Sequence, residues 1–166
     1  MQVKPIGIIH TPFARQEGTP IQPAMADGAL GWIELNSEYV PALKDLDGFD
    51  RIWLIYWFDR AAEVRLEVVP YLDDTLRGLF ATRAPSRPNP IGISSVRLLR
   101  IEKNMLHIAD VDILDGTPLL DIKPYASSFD CFEVTRSGWL DEVRAERQVA
   151  DDRFSANQER NKNEKA

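Results

Sequence analysis

Arg51-Ile-Trp-Leu-Ile-Tyr-Trp-Phe58 is the stretch on which the fold turns. It is almost wholly apolar, rich in aromatics and flanked by Asp50 and Asp59. A transmembrane helix needs about 20 such residues, so this run is too short to span a bilayer. Its length and content predict a strand buried on both faces rather than a helix. Upstream, Val3 to Ile9 reads as a strand closed by the turn His10-Thr11-Pro12, and Arg15 to Gly28 as a long irregular loop. Ala29 to Leu35 predicts a second strand. Ser37 to Leu46 predicts a short helix with Tyr39, Leu43 and Leu46 on one side, and Leu46 to Asp50 a turn.

Downstream, Arg65 to Val69 and Gly78 to Thr82 predict short strands. Ile91 to Glu102, with Val96, Leu98 and Arg100 on one side, and Leu106 to Leu114 predict a hairpin about Lys103-Asn104. Ser137 is placed to cap a final helix that docks Trp139, Leu140 and Val143. The apolar spacing fades beyond Gln148, and Asn157 to Ala166 reads as a frayed polar end. Many short strands and one or two helices predict a mainly β fold, a barrel or a sandwich. Residues 1–140 form the domain and 141–166 a helical extension. No strand, glycine-rich loop and helix unit opens the chain, which disfavours a Rossmann-type nucleotide domain.

The single cysteine, Cys131, excludes an internal disulfide and predicts a reducing compartment. Its acidic, aromatic setting predicts a buried, inert thiol. The start has no long apolar stretch of a secretory leader, so the expectation is a cytoplasmic protein away from membranes. His10 and His107 have no neighbours at ligand spacing, and no metal is expected. Net charge is −6, which by itself speaks against a nucleic-acid partner. The distribution speaks for one: Arg77, Arg83, Arg87, Arg97 and Arg100 fall in a stretch, Arg77 to Ile101, without Asp or Glu. Solvated strand-face arginines would give the same pattern.

Arg83-Ala-Pro85-Ser-Arg87-Pro88-Asn89-Pro90 is the most unusual segment. Its prolines fix φ and bias each preceding residue to extended backbone. A segment so stiffened holds Arg83, Arg87 and Asn89 at little further entropic cost, which suits a binding site. Arginine offers planar, bidentate hydrogen bonds to carboxylate or phosphate, and Asn89 a donor and an acceptor for the edge of a base. A rigid connector is the plain alternative. Asp112-Ile-Leu-Asp115-Gly116-Thr117-Pro118 is a tight-turn sequence that presents backbone groups and a carboxylate, or simply joins two strands.

Ile6 to Phe13, Leu46 to Asp50, Gly78 to Ser94 and Asp115-Gly-Thr-Pro-Leu-Leu-Asp-Ile-Lys-Pro-Tyr125 together resemble the TsaA-like domain of the TrmO family, in the family's order. The resemblance implies a single-sheeted β-barrel that binds S-adenosylmethionine (SAM) and works as a homodimer. It implies methyl transfer to N6 of threonylcarbamoyl-adenosine at position 37 of tRNA. Matched onto this sequence, the cofactor contacts fall at Gln22, Pro23 and Ala24, at Asp59 and Arg60, at Arg83, at Ile93, and at Asp115, Gly116, Thr117 and Pro118. Ala24 stands where the family often has glycine. Arg77 and Arg87 are the candidates for RNA. Asn89-Pro90 is similar to the Asn-Pro signature of other adenine-N6 methyltransferases, which makes Asn89 the candidate catalytic group by analogy across folds. Methyl transfer from a sulfonium is chiefly a matter of alignment and electrostatics. Long family members continue into a second domain. Here the stretch from Asp141 carries seven acidic and six basic residues and is no RNA-binding arm. A methyltransferase with another substrate, or a SAM-binding sensor without turnover, are the competing readings.

Overall fold

The structure, a computed structural model, describes residues 2–143 and 148–155. Among these residues eight strands run in chain order: β1 (Gly7–His10), β2 (Leu30–Leu35), β3 (Arg51–Trp57), β4 (Glu67–Val68), β5 (Arg77–Gly78), β6 (Ile91–Glu102), β7 (Met105–Ala109) and β8 (Thr117–Pro124). Six of them close an antiparallel barrel in the order β1-β2-β7-β6-β3-β8, with β8 returning to β1. The expected mainly β, single-sheeted barrel is what forms. Closure gives every barrel strand one inward and one outward face. Ile9, Ile33, Ile52, Leu54, Val96, Leu106, Ile108 and Leu119 point inward and are fully buried.

That same closure corrects the reading of the decisive stretch. β3 is not buried on both faces: Ile52, Leu54 and Tyr56 fill the interior, while Trp53, Ile55 and Trp57 are only half-buried. Their shelter is partial, Trp53 packing at 5.6 Å from the Tyr125 ring. Arg100 is likewise not aligned with Val96 and Leu98. The β6–β7 register shifts between Leu98 and Arg100, and the extra residue inverts the alternation so that Ile101 packs on the core and Arg100 is exposed.

Several helices and strands are shorter than the sequence predicts. Ser37–Leu43 is a 3-10 helix with Pro41 inside it, a residue that cannot donate to an α-helical ladder. Leu79–Ala81 is a 3-10 turn following the two-residue β5, not a strand. The helix expected from Ser137 is a single 3-10 turn, Gly138–Asp141, without a Ser137 side-chain cap; Leu140 is exposed. Trp139 does dock, donating its indole N–H to the Ala81 carbonyl at 2.8 Å. Cys131 is exposed and free, because it ends α1 (Ser127–Asp130) beyond the barrel. Residues 144–147 and 156–166, where the frayed end was expected, lie outside the described residues.

A second, smaller core sits beside the barrel. Val68, Leu79, Ala84 and Phe154 are buried together, with Tyr71 edge-on to Phe154 at 5.1 Å. Residues 148–155 reach this position through backbone pairing: Ile21 N–H donates to Gln148, Gly18 N–H to Ala150, and Ala150 N–H to Thr19. The described part of the expected helical extension is therefore an irregular strap across the early loop. Among the described residues no helix is long and apolar enough to cross a membrane.

Candidate functional site

A cavity of about 470 Å³ opens at the end of the barrel where β3 and β6 meet the early loop and the strap. Its floor is inherited from strand alternation. Tyr56 and Ser94 occupy inward positions on β3 and β6, in line with Leu54 and Val96. Gly92 makes this possible, since a Cβ there would run into the Tyr56 ring. Asp112, in the segment between β7 and β8, completes the floor. Ser94 Oγ donates to Asp112 Oδ1 at 2.7 Å, which leaves Tyr56 to donate to Ser94 Oγ at 3.0 Å. Burial pushes the Asp112 carboxyl up to about 7, against the opposing pull of the Ser94 hydrogen bond and the Arg83 charge. Burial, with the Asp112 charge added, also holds the Tyr56 phenol far above its ordinary value.

The walls come from four separate parts of the chain. Arg15 to Gln22 supply one side, and Ala150, Phe154 and Ser155 of the strap another. The proline-rich segment contributes Arg83, Pro85 and Arg87. Arg83 Nη1 donates to Gln22 Oε1 at 2.6 Å, joining that segment to the early loop. Arg87 donates to the Thr82 carbonyl at 3.1 Å and lies 5.5 Å from the Phe80 ring. Past the end of β3, Arg60 Nη2 donates to the Asp115 carbonyl at 2.7 Å and to Thr117 Oγ1 at 3.2 Å. That bridge holds the Asp115–Pro118 turn, where Gly116 takes the left-handed φ of +78°. One lining side chain has an unanswered acceptor: Gln16 Oε1 is buried with no hydrogen-bond partner among the described residues. No group of three or more His, Cys, Asp or Glu among the described residues is placed to hold a metal ion.

The family model of the tRNA-methyltransferase O N-terminal domain matches residues 8–131. The chain belongs to the TrmO family. A probable S-adenosyl-L-methionine-binding protein of Pyrococcus abyssi is 54% identical over 83% of this chain and 75% of its own length. The tRNA (adenine(37)-N6)-methyltransferase of Mus musculus is 32% identical over 76% of this chain, but over only 31% of its own. The crystal structure of TrmO from Pseudomonas aeruginosa superposes with a TM-score of 0.70 at 38% identity, covering 83% of this chain. This chain spans 62% of that TrmO.

Set against the TrmO resemblance read from the sequence, seven of the singled-out residues line the cavity. Gln22, Asp59 and Arg60 do so, as do Arg83, Arg87, Ile93 and Thr117. Pro23 and Ala24 turn away in a 3-10 turn. Asp115 aims its carboxylate at β1, accepting from Thr11 N–H at 3.1 Å beside His10. Gly116 and Pro118 shape the turn without lining the cavity, Pro118 being paired with Ile8. Arg77 is held elsewhere, ion-paired with Asp73 at 2.7 Å and stacked 5.6 Å from Trp139. Asn89 is exposed between the lining residues Arg87 and Ile91 and does not itself line the cavity.

Sequence reasoning reached Asp112 only as part of a turn motif, and missed Tyr56, the role of Ser94 and the strap. Ser94 was detectable, as a polar residue at an inward position between Gly92 and Val96. Tyr56 was hidden by reading β3 as apolar throughout. The strap carried no signal, since Ala150 and Phe154 are its only buried residues.

Proposed function

We propose that the chain is a SAM-dependent methyltransferase that methylates N6 of threonylcarbamoyl-adenosine at position 37 of tRNA, acting as a homodimer in the cytoplasm. The observation that carries this reading is the coincidence of the family's domain with a cavity at the barrel end, lined by matched residues. The names of the Pyrococcus and mouse relatives supply the cofactor and the target. The cavity fits such a cofactor. Its volume falls in the range of roughly 300–1,000 Å³ typical of small-molecule sites. Its walls are largely apolar, and the buried Gln16 acceptor waits for a donor.

Bound SAM supplies an electrophilic methyl on a positively charged sulfur. The exposed guanidinium groups of Arg15, Arg60 and Arg83 suit its carboxylate end at the cavity mouth. Arg60 also fixes the Asp115–Pro118 turn, so cofactor placement and turn geometry are coupled. Apolar walls keep water from the methyl group. The remaining work is alignment, for which a cavity braced by prolines and barrel strands is suited. Arg87 on the cavity wall and the exposed Asn89 two residues on are the side chains proposed to meet the target base.

The test is incubation of the purified protein with labelled SAM and bulk tRNA, with and without the threonylcarbamoyl modification, followed by nucleoside analysis. Label confined to the modified RNA is the expected result. SAM binding without label in either RNA would replace the enzyme with a sensor, and label in unmodified RNA would change the substrate.

A further inference from the structure

Asp112, a carboxylate on the cavity floor, has no direct ion-pair partner among the described residues. Its one side-chain hydrogen bond among the described residues comes from Ser94, and the only cation there that acts on it is Arg83, without a direct contact. Tyr56 on β3 and Ser94 on β6 face it directly, and Arg83 acts on it from a distance. The other charged or titratable groups around the cavity are Arg15, Asp59, Arg60, Tyr71 and Arg87. The exposed arginines lie at the mouth, whereas the unpaired carboxylate lies at the floor.

We infer that Asp112 is a counter-ion subsite for the cationic sulfur of the bound cofactor, separating the sulfonium from the neutral thioether left after methyl transfer. This rests on the proposed function. An amino-acid carboxylate belongs with the arginines at the mouth, and its ammonium stays beside it. The second positive charge of SAM lies further along the molecule, on the sulfur, and with the carboxylate end at the mouth it is the charge that would face the floor carboxylate. A carboxylate set at the cavity floor beside the buried Tyr56 and Ser94 is poorly solvated, so without a cation against it, it holds a proton readily. A cation beside it removes that preference, and binding of the sulfonium expels the proton. When the methyl leaves, the S–C bonding pair stays on sulfur and the counter-charge vanishes. Asp112 then takes up one proton, equal to the one the acceptor nitrogen sheds on methylation.

Calorimetry on the full chain with SAM and with S-adenosylhomocysteine, at pH 5.5 to 8 and in buffers of different ionisation enthalpy, tests this. SAM affinity is expected to rise about tenfold per pH unit below pH 7 and then level, with about one proton released at pH 6. S-adenosylhomocysteine affinity should move by less than about threefold across the same range. In Asp112→Asn, a near-isosteric change that leaves Ser94 a partner, the preference for SAM should collapse by about tenfold or more at pH 8. Equal pH dependence for both ligands, or an unchanged preference in Asp112→Asn, overturns the inference while leaving cofactor binding intact. No heat with either ligand overturns the proposed function, and this inference with it.

Discussion

Asp112 makes folding stability depend on pH in a direction opposite to most carboxylates. Its folded pKa is raised from 3.8 to about 7, so the native state holds the proton more tightly than the unfolded chain. Its contribution is fully present below about pH 4, declines as pH rises toward 7, and is flat beyond. The whole effect is roughly 4 kcal/mol at most, from about 1.4 kcal/mol per pKa unit. Urea unfolding at pH 5, 6, 7 and 8 should show the wild type losing ground to Asp112→Asn up to pH 7. A constant difference would refute it. Asp73, Glu102 and Asp110, held low by arginine partners, have the opposite sign and matter only at more acid pH. Gly92→Ala tests the same floor from the other side. Its methyl must displace the Tyr56 ring, at about 1–3 kcal/mol for overpacking, and SAM binding should fall with the loss of the Tyr56–Ser94 contact. These residues also mark the limit of reading the sequence. The matched motifs named most of the rim because they are local strings. The floor is three residues from three segments: barrel register places Tyr56 and Ser94, and the connection between β7 and β8 brings Asp112 to them.

At the level of elements, the existence of the barrel strands was legible, while the Gly78–Thr82 strand and the phase of β6 were not. The Ile91–Glu102 strand has its expected bounds, yet one extra residue between Leu98 and Arg100 reverses which side chains face the core. No composition signal marks such a residue. The proline-rich segment was legible as stiff, and it does carry Arg83 and Arg87 to the cavity. The least expected connection is Arg60, whose guanidinium ties the end of β3 to the turn before β8. Arg60→Lys keeps the charge but cannot reproduce the two donors in one plane. It should weaken SAM binding about tenfold by titration, while unfolding free energy changes by only about 1 kcal/mol, the usual net worth of such hydrogen bonds. A stability loss several times larger would make Arg60 a structural residue instead.

Across the whole molecule, two cores of different size share one cavity. The barrel core is continuous, whereas Val68, Leu79, Ala84 and Phe154 form a cluster that depends on the strap. Phe154→Ala should cost about 3 kcal/mol, as for other buried phenylalanines. Hydrogen exchange should place the loss in residues 61–90 and leave the barrel strands protected; uniform deprotection would mean a single cooperative core. The same variant should bind SAM more weakly, since Phe154 lines the cavity.

Barrel closure has a kinetic consequence as well. Gly7 is paired with Leu119 and Ile9 with Thr117, so the β1–β8 seam joins segments far apart in the chain. Until it forms, the nascent sheet presents two open edges able to recruit other chains. Topologies dominated by such distant pairings fold in about milliseconds to seconds. Refolding yield should therefore drop as protein concentration rises, even where the finished barrel, having no edges, stays dispersed.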